Sequence, residues 1–217
     1  MSTTAASQRP ARLARAAEGR PRRGTPDGTR ERLIAAAAEV INRDGYFGTD
    51  SNAIARAAGY SPATFYKHFE DKRAILLAAY QRWVATEWQH ISATVRSLAT
   101  PGASPATVAR ELTGWILDHH RRWRLLRAGL LGLVGADPVV REFYLAQRRR
   151  QLEWLRDMRG AERARPGDRE ADALLLFTFE RVGDGLAGGE AEALGLDAAR
   201  LEAVLVEQLE ASLRFTP

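Results

Sequence analysis

The stretch SPATFYKHFEDK, residues 61–72, gathers the side chains of this sequence whose types and spacing are best suited to chemistry. Ser61 stands at a helix N-cap position and Pro62 at the first helical position, where its missing N–H costs nothing. Phe65 and Phe69 are four apart, so they share one face and are expected to pack on apolar stripes around Leu33 and Ile54. That placement turns Ala63, Thr64 and Lys67 outward, with Tyr66 and His68 on the flanks. Small residues at a helix start let the backbone approach base edges. Thr64 offers a hydroxyl for hydrogen bonding or a methyl to press on thymine. Tyr66, Lys67 and His68 are types that hold phosphates. One face anchors the helix, and the other carries what reading a nucleic acid requires.

Three segments must position that helix. A first amphipathic helix runs from Thr29 with Leu33, Ala37, Val40 and Ile41 on one stripe, and Asp44–Gly45 closes it. A second short helix lies in TDSNAIARAAG, with Thr49 and Asp50 as cap residues, Ile54, Ala57 and Ala58 as its apolar positions and Gly59 as its stop. The link AGYS then gives a helix-turn-helix, with Gly59 supplying the turn conformation.

Residues 1–28 are poor in large apolar groups and broken by Pro10, Pro21, Gly24, Pro26 and Gly28, so a disordered arm is expected there. Seven arginines (Arg9, Arg12, Arg15, Arg20, Arg22, Arg23 and Arg30) face only Glu18 and Asp27 within residues 1–30. That excess equals the +5 of the whole chain, so residues 31–217 sum to zero. The basic character belongs to the arm. A polyanion, nucleic acid first, suits it, and a solubilising tail is the alternative reading.

Beyond the reading helix, a long helix from about Lys72 to Leu98 ends at ATPGASP. Further helices are expected near 105–119, 122–134, 138–159, 169–187 and 197–214. No segment alternates with period two, so no sheet is expected. The fold class is all-α: an N-terminal three-helix helix-turn-helix domain over 29–71 and a C-terminal helical body over 72–217.

Several functions are excluded or disfavoured. The sequence of 217 residues contains no cysteine, which removes disulfides, thiolate metal sites and thiol nucleophiles. No run approaches the roughly 18 uninterrupted apolar residues of a membrane span. The arginine-rich start has no apolar core after it, so it is no secretory signal, and a cytoplasmic protein without membrane contact is expected. His119 and His120 are adjacent and point apart on a helix, so no metal site is expected. An enzyme would need a nucleophile, base and orienting group, or a glycine-rich phosphate loop after a strand. Neither is present. No enzyme activity and no cofactor are expected.

The segment GYFGTDSNAIARAAGYSPATFYKHFEDKRAIL resembles the DNA-binding module of the TetR family of transcriptional regulators. The matching features are Gly45 and an aromatic before the capping threonine, Ile54-Ala55, Ala58-Gly59, Ser61, Thr64, Phe65-Tyr66, His68-Phe69 and Lys72, over about residues 29–76. The resemblance implies a homodimer on a near-palindromic double-stranded operator, usually a repressor, released by a small-molecule inducer. It makes Thr49, Arg56, Tyr66, His68 and Lys72 phosphate-contact candidates, and places Pro62, Ala63, Thr64 and Lys67 toward bases, with Ser61 at their head. Asp50 departs from the family's usual serine or threonine, and Pro62-Ala63 from its usual small residue plus glycine. Base preference therefore cannot be carried over from any relative. A helical protein-binding module without DNA affinity is the alternative, and the intact set Tyr66, Lys67, His68 and Lys72 speaks against it.

The body carries no comparable motif. By resemblance it holds the ligand, with Trp115, His119 and Glu180 as pocket candidates; plain core aromatics and a solvent-facing Glu180 are the other reading. The stripes Leu175, Phe179, Val182, Leu186 and Leu201, Leu205, Leu209 mark the last two helices as the implied dimer bundle. Gly183 and Gly185 within them are tolerable if another backbone approaches closely. The run Arg148–Arg150, with Arg141 and Arg156, reads as a solvated helix face.

Overall fold

A computed structural model of the chain describes residues 26–100, 102, 104–159 and 166–214. The arginines from Arg9 to Arg23 lie outside the described residues. The described residues form ten α-helices: α1 Pro26–Asp44, α2 Ser51–Ala57, α3 Pro62–Tyr66, α4 Lys72–Arg96, α5 Pro105–Arg122, α6 Arg124–Val134, α7 Pro138–Arg159, α8 Asp168–Ala187, α9 Glu190–Ala193 and α10 Ala198–Arg214. A 3-10 turn, Ser97–Ala99, finishes α4. No strand occurs among the described residues, and none of their helices is long and apolar enough to cross a membrane.

Three boundaries differ from the sequence reading. Helix α1 is already formed at Pro26, the first described residue, ahead of Thr29. Proline is compatible with a first helical turn, and Asp27 beside it complements the helix dipole, so Pro26 and Gly28 do not break the helix there. Helix α5 runs through His120 to Arg122 and stops at Trp123, whose φ of −108° and ψ of 25° leave the helical region. The glycine-rich stretch after α8 winds into the extra turn α9, entered through Gly189 at φ 74°.

Two hydrophobic clusters hold the described residues together. The first joins α1, α2, α3, α4 and α6 through Leu33, Val40, Ile41, Ile54, Phe65, Phe69, Ile75, Leu76 and Tyr80, and reaches Leu176 of α8. Helix α4 thus completes the core of the N-terminal head with its first turns and enters the body with its last. The second cluster joins α5, α8 and α10 through Leu112, Leu117, Phe179, Leu186, Leu205 and Leu209. The stripes read as an intermolecular seam are therefore used within the chain. The apolar residues that α8 leaves outward are Leu174 and Phe177, 69% and 52% exposed.

The head is fastened to the body at three points. Asn42, in the last turn of α1, caps α6: its Oδ1 accepts from the amides of Leu125 and Leu126 at 3.1 and 3.2 Å. Its amide nitrogen donates to the Arg122 carbonyl at 2.6 Å. Gly129 of α6 lies against Tyr46, where a Cβ would come within 2.8 Å of the tyrosine Cβ. Arg73, at the start of α4, donates to Asp137 at 3.0 Å, and Asp137 in turn accepts from the first amides of α7.

Candidate nucleic-acid interface and body cavity

The reading helix is set by local chemistry. Gly59 sits at φ 78°, the left-handed turn that a side chain would strain. Ser61 then caps α3: its Oγ accepts from the Thr64 amide at 3.3 Å and lies 3.1 Å from the Thr64 hydroxyl. Phe65 and Phe69 are buried with ring centroids 5.9 Å apart, as their spacing requires. Pro62, Ala63, Tyr66 and Lys67 are exposed, Tyr66 at 56%, while Thr64 and His68 are half-buried. Arg56 is exposed on α2. Helix α3 is short, and Lys67 is its C-cap, so Lys67 lies at the end of the reading helix and not well inside a longer one.

Two of the expected phosphate contacts, Lys72 and Thr49, are turned into the protein. Lys72 donates to the carbonyls of Tyr46 and Thr49 at 2.6 and 2.7 Å and stands 4.2 Å from the centre of the Tyr46 ring. Burial pulls its pKa below the ordinary lysine value. Two of its three protons tie the α1–α2 connection to α4. Thr49 is buried, and its hydroxyl has neither partner nor surface. The cap of α2 is Asp50, which accepts from Ala53 N at 2.7 Å. The acid at this unusual position is a capping group.

In the body, the pocket candidates separate. Trp115 and His119 do not line the apolar cavity of the body, though His119 borders a second cleft, of about 280 Å³, with Trp83 and Trp123. Trp115 and His119 belong to a column of stacked rings: His90 to Trp115 at 4.0 Å, Trp115 to His119 at 4.7 Å, His119 to Trp83 at 4.9 Å. Burial first, and the charge of His120 after it, depresses the His119 pKa, opposed by Glu87. Glu180 does line the cavity, and it is buried. The cavity, of about 120 Å³, lies among α4, α5, α7, α8 and α10.

Behind its wall runs a chain of charges that the sequence reading missed. Arg148 is buried and pairs with Glu180, so it leaves the solvated arginine face assigned to it; Arg149 and Arg150 stay exposed. Arg148 also donates to Gln151 at 2.7 Å. Arg127 of α6 donates to Asp184 at 2.5 Å and to the Tyr80 hydroxyl at 3.0 Å, and lies 3.5 Å from Glu180. His120 stands 3.2 Å from Asp184 and 3.5 Å from Glu87. Burial works against a charged His120, but the bonds to Asp184 and Glu87 outweigh it and hold its pKa above the ordinary value. Burial likewise opposes the Asp184 anion, yet His120 and Arg127 bring its pKa below the usual carboxylate range. The signals were present in the sequence: a lone arginine inside the apolar LLRAGLLGLV and an aspartate between two helical glycines.

Residues 33–79 match the model of bacterial regulatory proteins of the tetR family. An HTH-type transcriptional regulator in the lacX 3' region of Lactococcus lactis subsp. lactis is 25% identical over 97 residues, covering 45% of this chain and 48% of that protein. The HTH-type transcriptional regulator UidR of Escherichia coli strain K12 is 36% identical over 50 residues, covering 23% of this chain and 26% of UidR. The matches thus span about half and about a quarter of these curated relatives. Among solved structures, Thermus thermophilus FadR, a TetR family transcriptional repressor in complex with lauroyl-CoA, superposes with a TM-score of 0.55 at 26% identity, over 86% of this chain and 92% of that one.

Proposed function

We propose that this chain, a member of the TetR family, is a DNA-binding transcriptional regulator that binds a near-palindromic operator as a homodimer and leaves it when a small molecule fills the body. The observation that carries the reading is the helix-turn-helix itself. Gly59 and Ser61 set a short helix whose buried phenylalanines leave Pro62, Ala63, Tyr66 and Lys67 outward. The assigned roles are base contact for Pro62, Ala63, Thr64 and Lys67, and phosphate contact for Arg56, Tyr66 and His68.

The outward Leu174 and Phe177 of α8 supply an apolar face for the second copy, and the family resemblance makes that copy identical. Two reading heads must lie about one DNA turn apart, roughly 34–36 Å, to enter successive major grooves. The relative crystallised with lauroyl-CoA supports a ligand-holding body. The ligand acts by binding two states of the molecule with different affinity. Helix α6 is the element placed to sense it, because Arg127 contacts the cavity's wall while Asn42 and Tyr46 hold the same helix to the head.

Selection of bound fragments from the DNA around the chain's own gene, followed by anisotropy titration of the enriched duplex, tests this. A two-fold symmetric site bound by two copies is expected. No enrichment, with the fold intact, would leave the protein-binding module as the better reading.

A further inference from the structure

The cavity of the body has two chemically unlike walls. One is hydrocarbon and aromatic, including Ile91, Leu112, Ile116, Trp88 and Phe179. The other consists of Glu87, Asp172 and Glu180, with His120 and Ser212 beside them. Arg127 and Arg148 pair with Glu180, yet neither lines the cavity, and among the described residues no lysine or arginine does. The polar wall thus presents the carboxylate oxygens of Glu87 and Glu180, with the two guanidinium groups set behind Glu180.

Resting on the reading of this body as a ligand chamber, we infer that its ligand is a cationic amphiphile: an apolar body carrying one protonated amine or quaternary ammonium. An anionic head would have to be desolvated beside carboxylates of its own sign, which the low dielectric of an interior makes unfavourable. A cation also loses its hydration, but here the carboxylates offset the loss. Trp88 and Phe179, which line the cavity, are of the ring types that attract an ammonium group. The apolar body replaces water along the hydrocarbon wall. Charge complementarity and cavity lining select the same chemistry.

A chemical consequence follows at His120. Glu87 is one of the two carboxylates that hold the His120 proton in place. A ligand cation at Glu87 competes for that carboxylate, which favours neutral His120, and its proton passes to the solvent. Binding then releases protons near neutral pH. The same event loosens His120 from the chain that runs through Asp184 to Arg127 of α6.

Calorimetric titration of the full chain, without DNA, compares octyltrimethylammonium, octanoate and octanol. The ammonium is expected to bind at least about tenfold more tightly than the carboxylate of the same chain length. Its heat should vary with the ionisation enthalpy of the buffer. Glu87→Gln should reduce that preference and suppress proton release, and Leu175→Trp, which fills the cavity, should abolish binding of all three probes. Octanoate binding as tightly as the ammonium, or no saturable binding by any probe, overturns the inference. So does ammonium binding that survives Leu175→Trp in a variant with a native circular dichroism spectrum. Operator binding is measured separately: an operator bound without ammonium preference sinks only the ligand class, and ammonium preference without operator binding sinks only the regulator reading.

Discussion

A Cβ placed on Gly183 would stand 2.9 Å from Nδ1 of His120. The ring that bridges Glu87 and Asp184 is seated on the bare backbone of α8, and the close approach foreseen for this glycine is made by a side chain. Alanine would gain about 1 kcal/mol of helix propensity. It would also push a buried ring off its partners, at about 1–3 kcal/mol for overpacking and as much again for a charged hydrogen bond. Gly183→Ala should therefore destabilise by about 1–5 kcal/mol. At Gly185 a Cβ meets only the exposed ends of Arg181 and Glu190, at 3.1 and 3.3 Å. Gly185→Ala should be neutral or stabilising by up to about 1 kcal/mol. Urea titrations of both variants check the opposite signs.

The two histidines that are neighbours in sequence titrate in opposite senses. His120, with its pKa raised above 6.5, contributes stability that is complete below 6.5 and is lost as pH rises through its folded value. His119, with its pKa lowered, contributes stability that is complete above 6.5 and is lost as pH falls below it. The window above 6.5 therefore isolates His120. Denaturation midpoints should decline with pH there, and His120→Gln should flatten the decline. A flat wild-type profile would mean that His120 is not held charged.

Arg127 is the buried cation between Glu180 and Asp184. Arg127→Met leaves both carboxylates without it and should cost about 3–5 kcal/mol. Adding Asp184→Asn to that variant should restore part of the loss, whereas Asp184→Asn alone should destabilise. A double-mutant cycle in urea measures the coupling, and additive effects would contradict the pairing.

Much of the architecture was legible because helices announce themselves locally. Ser61-Pro62, Asp71 and Ser104-Pro105 each cap the helix that their types foretell. The buried phenylalanines of α3 followed from a spacing of four. What the sequence hid is tertiary pairing between distant charges. Arg148 looks identical to Arg149 and Arg150 along the chain, and only the approach of α8 selects it for burial beside Glu180. Trp115 and His119 do share one face, but that face stacks on His90 and Trp83 of α4, and His119 borders a cleft beside α1 and α4 and not the cavity that Glu180 lines. Lys72 resembled a free cation until the α1–α2 connection folded its carbonyls over it.

That last relationship gives a test on DNA. If Lys72 is a structural tie, Lys72→Met should destabilise by about 1–3 kcal/mol through unsatisfied carbonyls. It should weaken operator affinity while changing the salt slope by well under one counterion. A direct phosphate contact would instead lower the slope by about 0.9. Affinity titrations from low to moderate salt separate the two.

The reading face turns on Thr64. Its amide and hydroxyl both lie against Ser61 Oγ, so the hydroxyl serves the cap and the methyl is left free of it. A thymine contact through that methyl makes a sharp series. Thr64→Val keeps the methyl and should keep the operator preference. Thr64→Ser keeps the cap and should lose the preference at one position, by about 1–3 kcal/mol of discrimination. Ser61→Ala should cost about 1 kcal/mol of stability and weaken every sequence alike, since it loosens the helix without touching its code. Tyr66→Phe, which removes only a hydroxyl, should also weaken all sites equally. Lys67→Ala, at the helix's C-cap, should lower the salt slope by about one counterion if it holds phosphate, and relax a single base position if it reads. Selection from a randomised operator library, run on each folded variant, decides among these outcomes. Preference retained in Thr64→Ser but lost in Thr64→Val would assign the reading to the hydroxyl and overturn the cap argument.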